Sequence, residues 1–189
     1  MQLVGLSGSF RRGSWNTRAL ESIRDVLPEG VAYEVFDRLD QVPFYAEELE
    51  RDLPASAARL RAAVGEADGV IIATPEYNHS YTPVIKNAID WLSRPFGRGA
   101  LIGKPVAVLG VAPGLFGTVR AQAHLRQVLH GTNSVVLARP EVFINEAERR
   151  FDASGRLVDP TASALVAELV EGLLALVRRH GAPQDEAVA

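Results

Sequence analysis

The run Gly69-Val70-Ile71-Ile72-Ala73-Thr74 carries no charge and turns apolar groups to both of its alternating faces. Such a strand needs cover above and below, which is the situation of a central strand in a parallel sheet. Val106 to Val111 repeats the pattern, and Leu3-Val4-Gly5-Leu6 is a shorter version. Val31 to Phe36 and Ser134 to Ala138 read as further strands. Amphipathic stretches lie between them. Thr17 to Leu27 sets Leu20, Ile23 and Leu27 on one face, and Ala55 to Glu66 is an Ala-rich helix. Thr82-Pro83 opens another, with Thr suited to the N-cap and Pro to the first helical position. Thr118 to His130 is closed by Gly131, and a last helix follows Asp159-Pro160 to about His180, with Leu165, Leu169, Leu173 and Val177 inward. This alternation predicts an α/β chain: a doubly wound, five-stranded parallel sheet with helices on both faces. At 189 residues it suits one domain, read as 1–181 with a flexible tail at 182–189.

Composition narrows the function. With 20 Lys and Arg against 23 Asp and Glu, the net charge is -3, so no basic excess exists to grip a nucleic-acid backbone. There is no Cys, which removes thiolate nucleophiles and Cys-based metal sites. No uninterrupted apolar run is long enough to suggest a spanning helix, and the first residues do not resemble a signal peptide. The expectation is a cytoplasmic protein with no membrane insertion.

In open α/β sheets ligands bind beyond the carboxyl ends of the strands. The turn after the first strand, Ser7-Gly8-Ser9-Phe10-Arg11-Arg12-Gly13-Ser14-Trp15-Asn16-Thr17, brings hydroxyls, backbone N–H groups, guanidinium groups and a helix start to one place. That is the donor set a phosphate requires. The dinucleotide pattern G-x-G-x-x-G is absent. The triphosphate-binding pattern G-x-x-x-x-G-K-[ST] fails because Ser14 stands where Lys is needed. A single terminal phosphate monoester fits better; the plain alternative is a polar turn capped by Asn16. After the third strand, Thr74 to Pro83 holds two Tyr, an Asn and a His between stiffening prolines, a surface for a planar heteroaromatic ligand. After the fourth, Gly110, Gly114 and Gly117 would let the backbone approach a ligand closely.

At these residues the chain resembles the NADPH-dependent FMN reductases, which include bacterial chromate and quinone reductases. Gly8-Ser9-Phe10-Arg11-Arg12-Gly13-Ser14-Trp15-Asn16 is similar to the signature G-S-L-R-x-G-S-x-N, with Phe10 for the usual Leu. Pro75-Glu76-Tyr77-Asn78 resembles its P-E-Y-N, followed by Pro83, Lys86-Asn87-Ala88-Ile89-Asp90-Trp91. Gly114, Gly117-Thr118 and Arg120-Ala121-Gln122 resemble a third stretch, with Pro113 where the family often has a small polar residue. The resemblance implies a flavodoxin-like fold with strand order 2-1-3-4-5. It implies that Ser9, Arg11, Ser14, Asn16 and Thr17 hold the phosphate of FMN. Pro75, Glu76, Tyr77 and Asn78 would line the isoalloxazine, largely through backbone groups, with Pro113 and Gly114 on its other side. It implies NADPH or NADH as co-substrate, a small-molecule acceptor (quinone, metal oxyanion, azo compound or flavin), and a homodimer or homotetramer whose interface includes the helix from Pro83, with Trp91 and Tyr81 as candidates. No side chain is nominated as acid or base, since the flavin carries the chemistry. His79 adjoins the site; Arg120 and Arg126 read as solvated helix charges. The competing readings are a flavodoxin-type electron carrier, against which Arg11, Arg12 and the mild charge argue, and a flavin-free binding module on the same fold.

Overall fold

A computed structural model describes residues 1–181; the tail expected at 182–189 lies outside the described residues. The strands are β1 (Gln2–Ser7), β2 (Ala32–Phe36), β3 (Gly69–Ala73), β4 (Pro105–Val111), β5 (Val135–Val136) and β6 (Val142–Ile144). The helices are α1 (Trp15–Ser22), α2 (Ala55–Glu66), α3 (Pro83–Leu92), α4 (Val119–Gly131), the short α5 (Ala147–Arg150) and α6 (Pro160–Gly181). All strand pairs are parallel, in the order β2-β1-β3-β4-β5, with β6 also on β4. This is the flavodoxin-like order, with the reversal of direction falling at β1 and β3.

The side-chain period of two sorts the apolar strands into two cores. Leu3, Ile71, Ala107 and Leu109 meet Leu20 and Ile23 beside α1 and Leu169 and Leu173 of α6. Val4, Leu6, Val70, Ile72 and Val108 meet Leu60 of α2, Ile85 and Ile89 of α3 and Leu125 of α4. Each fully buried Leu or Ile contributes about 1.5–3 kcal/mol, so β1, β3 and β4 hold the sheet together. On the β2 edge only one side is covered: Ala32 and Glu34 are exposed, Tyr33 and Val35 half-buried.

The fifth position differs from expectation. In place of one strand over 134–138, two short strands share the edge of β4. Val135 and Val136 pair with Pro105 and Val106, whereas Val142 to Ile144 pair with Leu109 to Val111. Pro140, which has no N–H to give a ladder, stands between them. The first helix also ends early, giving way to a 3-10 turn at Ile23–Asp25. Asp159 caps α6 as expected, its Oδ1 accepting the Ala162 N–H at 2.8 Å. By length and composition α6 could cross a membrane, with a mean hydropathy of 1.6. Its inner side, however, with Val166, Leu169, Val170, Leu173 and Leu174, is buried in the core.

Candidate functional site

The three turns beyond β1, β3 and β4 lie side by side at the carboxyl edge of the sheet, as their neighbouring strand positions require. The first turn is fastened from inside. Gly8 donates its N–H to the Ala73 carbonyl at 2.7 Å. A Cβ at Gly8 would lie 2.9 Å from Ile85 Cγ1 and 3.0 Å from that carbonyl, so only glycine fits. The Ser7 hydroxyl donates to the Ser9 carbonyl at 3.1 Å and pairs with the Thr17 hydroxyl at 2.8 Å. Ser14, and not Asn16, caps α1, its Oγ accepting the Thr17 N–H at 3.4 Å. The N–H groups of Trp15 and Asn16, in the first turn of α1, are left for an external acceptor. Arg11 and Arg12 are exposed beside this turn. Among the described residues neither forms a salt bridge with a carboxylate. A cleft of about 240 Å³ opens here, lined by Ser9, Arg11, Arg12, Ser14 and Thr17 and reaching Asp37 and Arg38. Those last two residues escaped the sequence reading; the placement of β2 beside β1 is the signal that brings the end of β2 to this cleft.

The Asn16 side chain is engaged inside the chain, which leaves its main-chain N–H for the phosphate role expected of it. Its amide is buried, with Oδ1 accepting the Val111 N–H at 3.0 Å and Nδ2 donating to the Val111 carbonyl at 2.9 Å. Both ends of the amide are spent on fastening α1 to the end of β4, and only its main-chain N–H faces outward duty. Thr82 is the N-cap residue of α3, with Pro83 opening the helix as expected, but its hydroxyl makes no cap bond; it donates to the Gly8 carbonyl at 2.8 Å and ties the second turn to the first.

In the second turn, Tyr77 and Ser80 close a tight two-residue hairpin, each donating its N–H to the other's carbonyl, at 2.9 and 3.0 Å. Asn78 and His79 sit at its tip with φ of 49° and 65°, the left-handed region that non-glycine residues seldom occupy. Pro75 is buried, whereas Tyr77, Asn78 and His79 are exposed. Glu76 points the other way. Its Oε2 accepts the N–H groups of Arg120 and Ala121 at 3.0 and 3.2 Å, and its Oε1 accepts from Arg120 Nη1 at 2.8 Å. A carboxylate from the β3 turn thus caps α4, a favourable charge at a helix start. Burial pushes this carboxyl up, but the Arg120 guanidinium and the two N–H groups outweigh it and hold it below the ordinary range. Arg120 is therefore an ion-pair partner and not a free helix charge. Arg126 likewise is partly buried, donating to the Leu137 carbonyl at 2.7 Å.

The third turn follows β4. Gly110 serves packing and not ligand approach, since its Cβ would fall 2.0 Å from Thr118 Oγ1 and 2.5 Å from the Thr74 carbonyl. Gly114 is open, with nothing within 4 Å of such a carbon. Pro113 and Gly114 are exposed, and Leu115 and Phe116 are 71% and 70% exposed. Trp91, expected near an interface, is fully buried within the chain and donates its indole N–H to the Pro43 carbonyl at 2.8 Å. Tyr81 is half-buried. A further cleft of about 270 Å³ near Arg94, Phe96 and Asn133 lies at the opposite edge, where none of these turns reaches.

The donors at the first turn suit an oxyanion: hydroxyls, helix N–H groups and guanidinium groups, with no carboxylate between Gly8 and Thr17. Together with the strand order they define a flavodoxin-like protein whose first β–α turn presents donors suited to an anion, with the turns after β3 and β4 beside it. The profile of the NADPH-dependent FMN reductase family matches residues 1–149. An NAD(P)H-dependent FMN reductase of Pseudomonas aeruginosa is 42% identical over 180 residues, covering 95% of this chain and 96% of that protein. A 2-hydroxy-1,4-benzoquinone reductase of a Burkholderia species is 34% identical, covering 94% and 97%. Among solved structures, the flavoenzyme NAD(P)H:(acceptor) oxidoreductase FerB of Paracoccus denitrificans superposes with a TM-score of 0.87 at 31% identity, covering 96% of this chain and 99% of that one. The chain belongs to the NADPH-dependent FMN reductase family.

Proposed function

We propose that this protein is an FMN-dependent NAD(P)H oxidoreductase that passes hydride equivalents from NADPH or NADH to small-molecule acceptors: quinones, metal oxyanions, azo compounds or free flavin. The observation that carries the reading is the first turn, where an internally fastened loop leaves its outward donors to a single anionic group. Ser9, Arg11 and Ser14, with the N–H groups of Trp15 and Asn16, would hold the FMN phosphate, while Thr17, its hydroxyl bonded to Ser7, would fix the turn that carries them. The backbone of Pro75, Glu76, Tyr77 and Asn78 and that of Pro113 and Gly114 would border the ring. When bound, FMN supplies the hydride chemistry. The chain's own residues supply place and field. Arg11 offsets the phosphate charge, and the tight Tyr77–Ser80 hairpin gives the second wall a fixed shape. Glu76 holds that wall to α4, so the third turn, which leads directly into α4, keeps station beside it. Phe10, Tyr77, Leu115 and Phe116 are each more than half exposed and form an apolar rim suited to planar, weakly polar acceptors. The quinone reductases among its relatives support that class.

We place the protein in the cytoplasm, without membrane insertion, as a homodimer or homotetramer, with residues 1–181 acting as one FMN-binding unit. The inward side of α6 is already committed to the core, and the exposed rim offers surface for a second copy. Light scattering of the purified protein checks the assembly. The absorbance spectrum before and after addition of NADPH tests the activity. The expected result is a yellow protein bleached rapidly with no partner reductase. A yellow protein that NADPH leaves unbleached would favour an electron carrier. A colourless one with no gain in melting temperature on adding FMN would sink the reading.

A further inference from the structure

The tip of the turn after β4 is held by a side chain from outside its own span. Asn145, the residue after β6, donates from Nδ2 to the Leu115 carbonyl at 3.0 Å. Within the turn, the Gly117 N–H reaches the Gly114 carbonyl at a longer 3.3 Å. Asn145 is itself held. Arg150 of α5 donates from Nη2 to Asn145 Oδ1 at 3.1 Å and from Nη1 to Asp159 Oδ2 at 2.7 Å. Asp159 is the cap of α6. The carbonyl of Arg150 also accepts the N–H groups of Val158 and Asp159 at 2.8 and 3.2 Å, so the backbones beneath this ion pair are held side by side. The Arg150 and Asp159 side chains are 28% and 20% exposed, sheltered enough for their charge-assisted bond to count. Next to Asn145, Glu146 adopts φ of 45°, which sets the chain's exit from β6. Arg150 and Asp159 lie past residue 149, where the match to the family profile ends.

We infer that Asn145 is a positioning residue: through Arg150 and Asp159 it ties the Leu115–Phe116 wall to the start of α6, and thereby sets how well the site engages its electron acceptor. The inference rests on the reading above that residues 113–117 border FMN. The amide is what matters. A carboxylate at this position would pair better with Arg150 but would face the Leu115 carbonyl with a second acceptor. Asn145→Asp therefore separates the tether from the stability of the Arg150 cluster.

The test uses the FMN-loaded protein and 1,4-benzoquinone as acceptor. In Asn145→Asp, amide exchange at Gly117, whose N–H meets the Gly114 carbonyl, should quicken about tenfold while the melting midpoint holds. FMN affinity should stay within about twofold, and KM for the quinone should rise about three- to tenfold with kcat little changed. Arg150→Lys keeps a cation for Asp159 but loses the fork that reaches Asn145, so it should show the same changes, smaller, should the first variant fold poorly. Unchanged exchange in both variants would overturn the tether. Faster exchange with an unchanged quinone KM would overturn its link to the acceptor. A wild type that bound no FMN would overturn the acceptor half, and the exchange comparison would then decide the tether alone.

Discussion

The turns after β1 and β4 border one site but are built in opposite ways. The first is knotted to the interior by Gly8, Ser7, Thr17 and Thr82, and it presents polar donors. The other has glycines, a proline and two largely exposed apolar side chains, and its tip hangs on Asn145. A phosphate is the same in every turnover and rewards a rigid, pre-arranged set of donors. Acceptors differ in outline, and an apolar wall discriminates among them only shallowly. On the proposed function, the difference teaches that the phosphate end of the cofactor and the choice of acceptor would fall mainly to separate loops, so that each could be altered with limited effect on the other.

The largest expected effect breaks the comparison inside one loop. Gly110→Ala would press a methyl group into Thr118 and the Thr74 carbonyl and should cost about 3 kcal/mol or more of stability. Gly114→Ala, four residues on in open space, should stay within about 0.5 kcal/mol. Thermal melts of the two variants check this, and similar losses would contradict the division between packed base and open tip. Next comes the cradle. Arg11→Ala should weaken FMN binding by about 1.5–3 kcal/mol, read by titration of the apo protein, and undiminished retention would count against the phosphate site.

A smaller effect lies at the joint between the walls. Glu76→Gln loses the charge opposite Arg120, which is 42% exposed, so solvent screening holds the stability loss to about 1 kcal/mol. The Glu76 carboxyl lies below its ordinary value of 4.5 in the folded chain. Its contribution is thus present above the unfolded value and lost as pH falls through the folded one. The gap between wild type and Glu76→Gln should be full at neutral pH and shrink below about pH 4, as denaturant midpoints across that range would show. A gap that widened in acid would reverse the assigned sign. The smallest effect is Phe116→Ala, which should leave stability within about 0.5 kcal/mol while changing the ranking of acceptors by kcat/KM.

What could be read from sequence depended on how far away each residue's partner lies. The runs Val70 to Ala73 and Val106 to Val111 announce a sheet covered on both faces because their own side chains state the requirement. The phosphate turn announces itself because its donors are consecutive. Asn16 misleads: it sits in the motif, yet its partner, Val111, is 95 residues on. Glu76 and Thr82 serve Arg120 and Gly8 across 44 and 74 residues, and no local pattern carries that information. The strand at Val142 to Ile144 escaped because three residues after a proline show no period to read. Asp37 and Arg38 escaped because their relevance comes from strand order alone.

The Asn16 clasp on Val111 has a mechanical corollary. It staples the entrance of the first helix to the far end of the fourth strand, so the turns after β1 and β4 share one mount. On the proposed function, uptake of flavin would then be docking into a socket already braced, with little folding left to do.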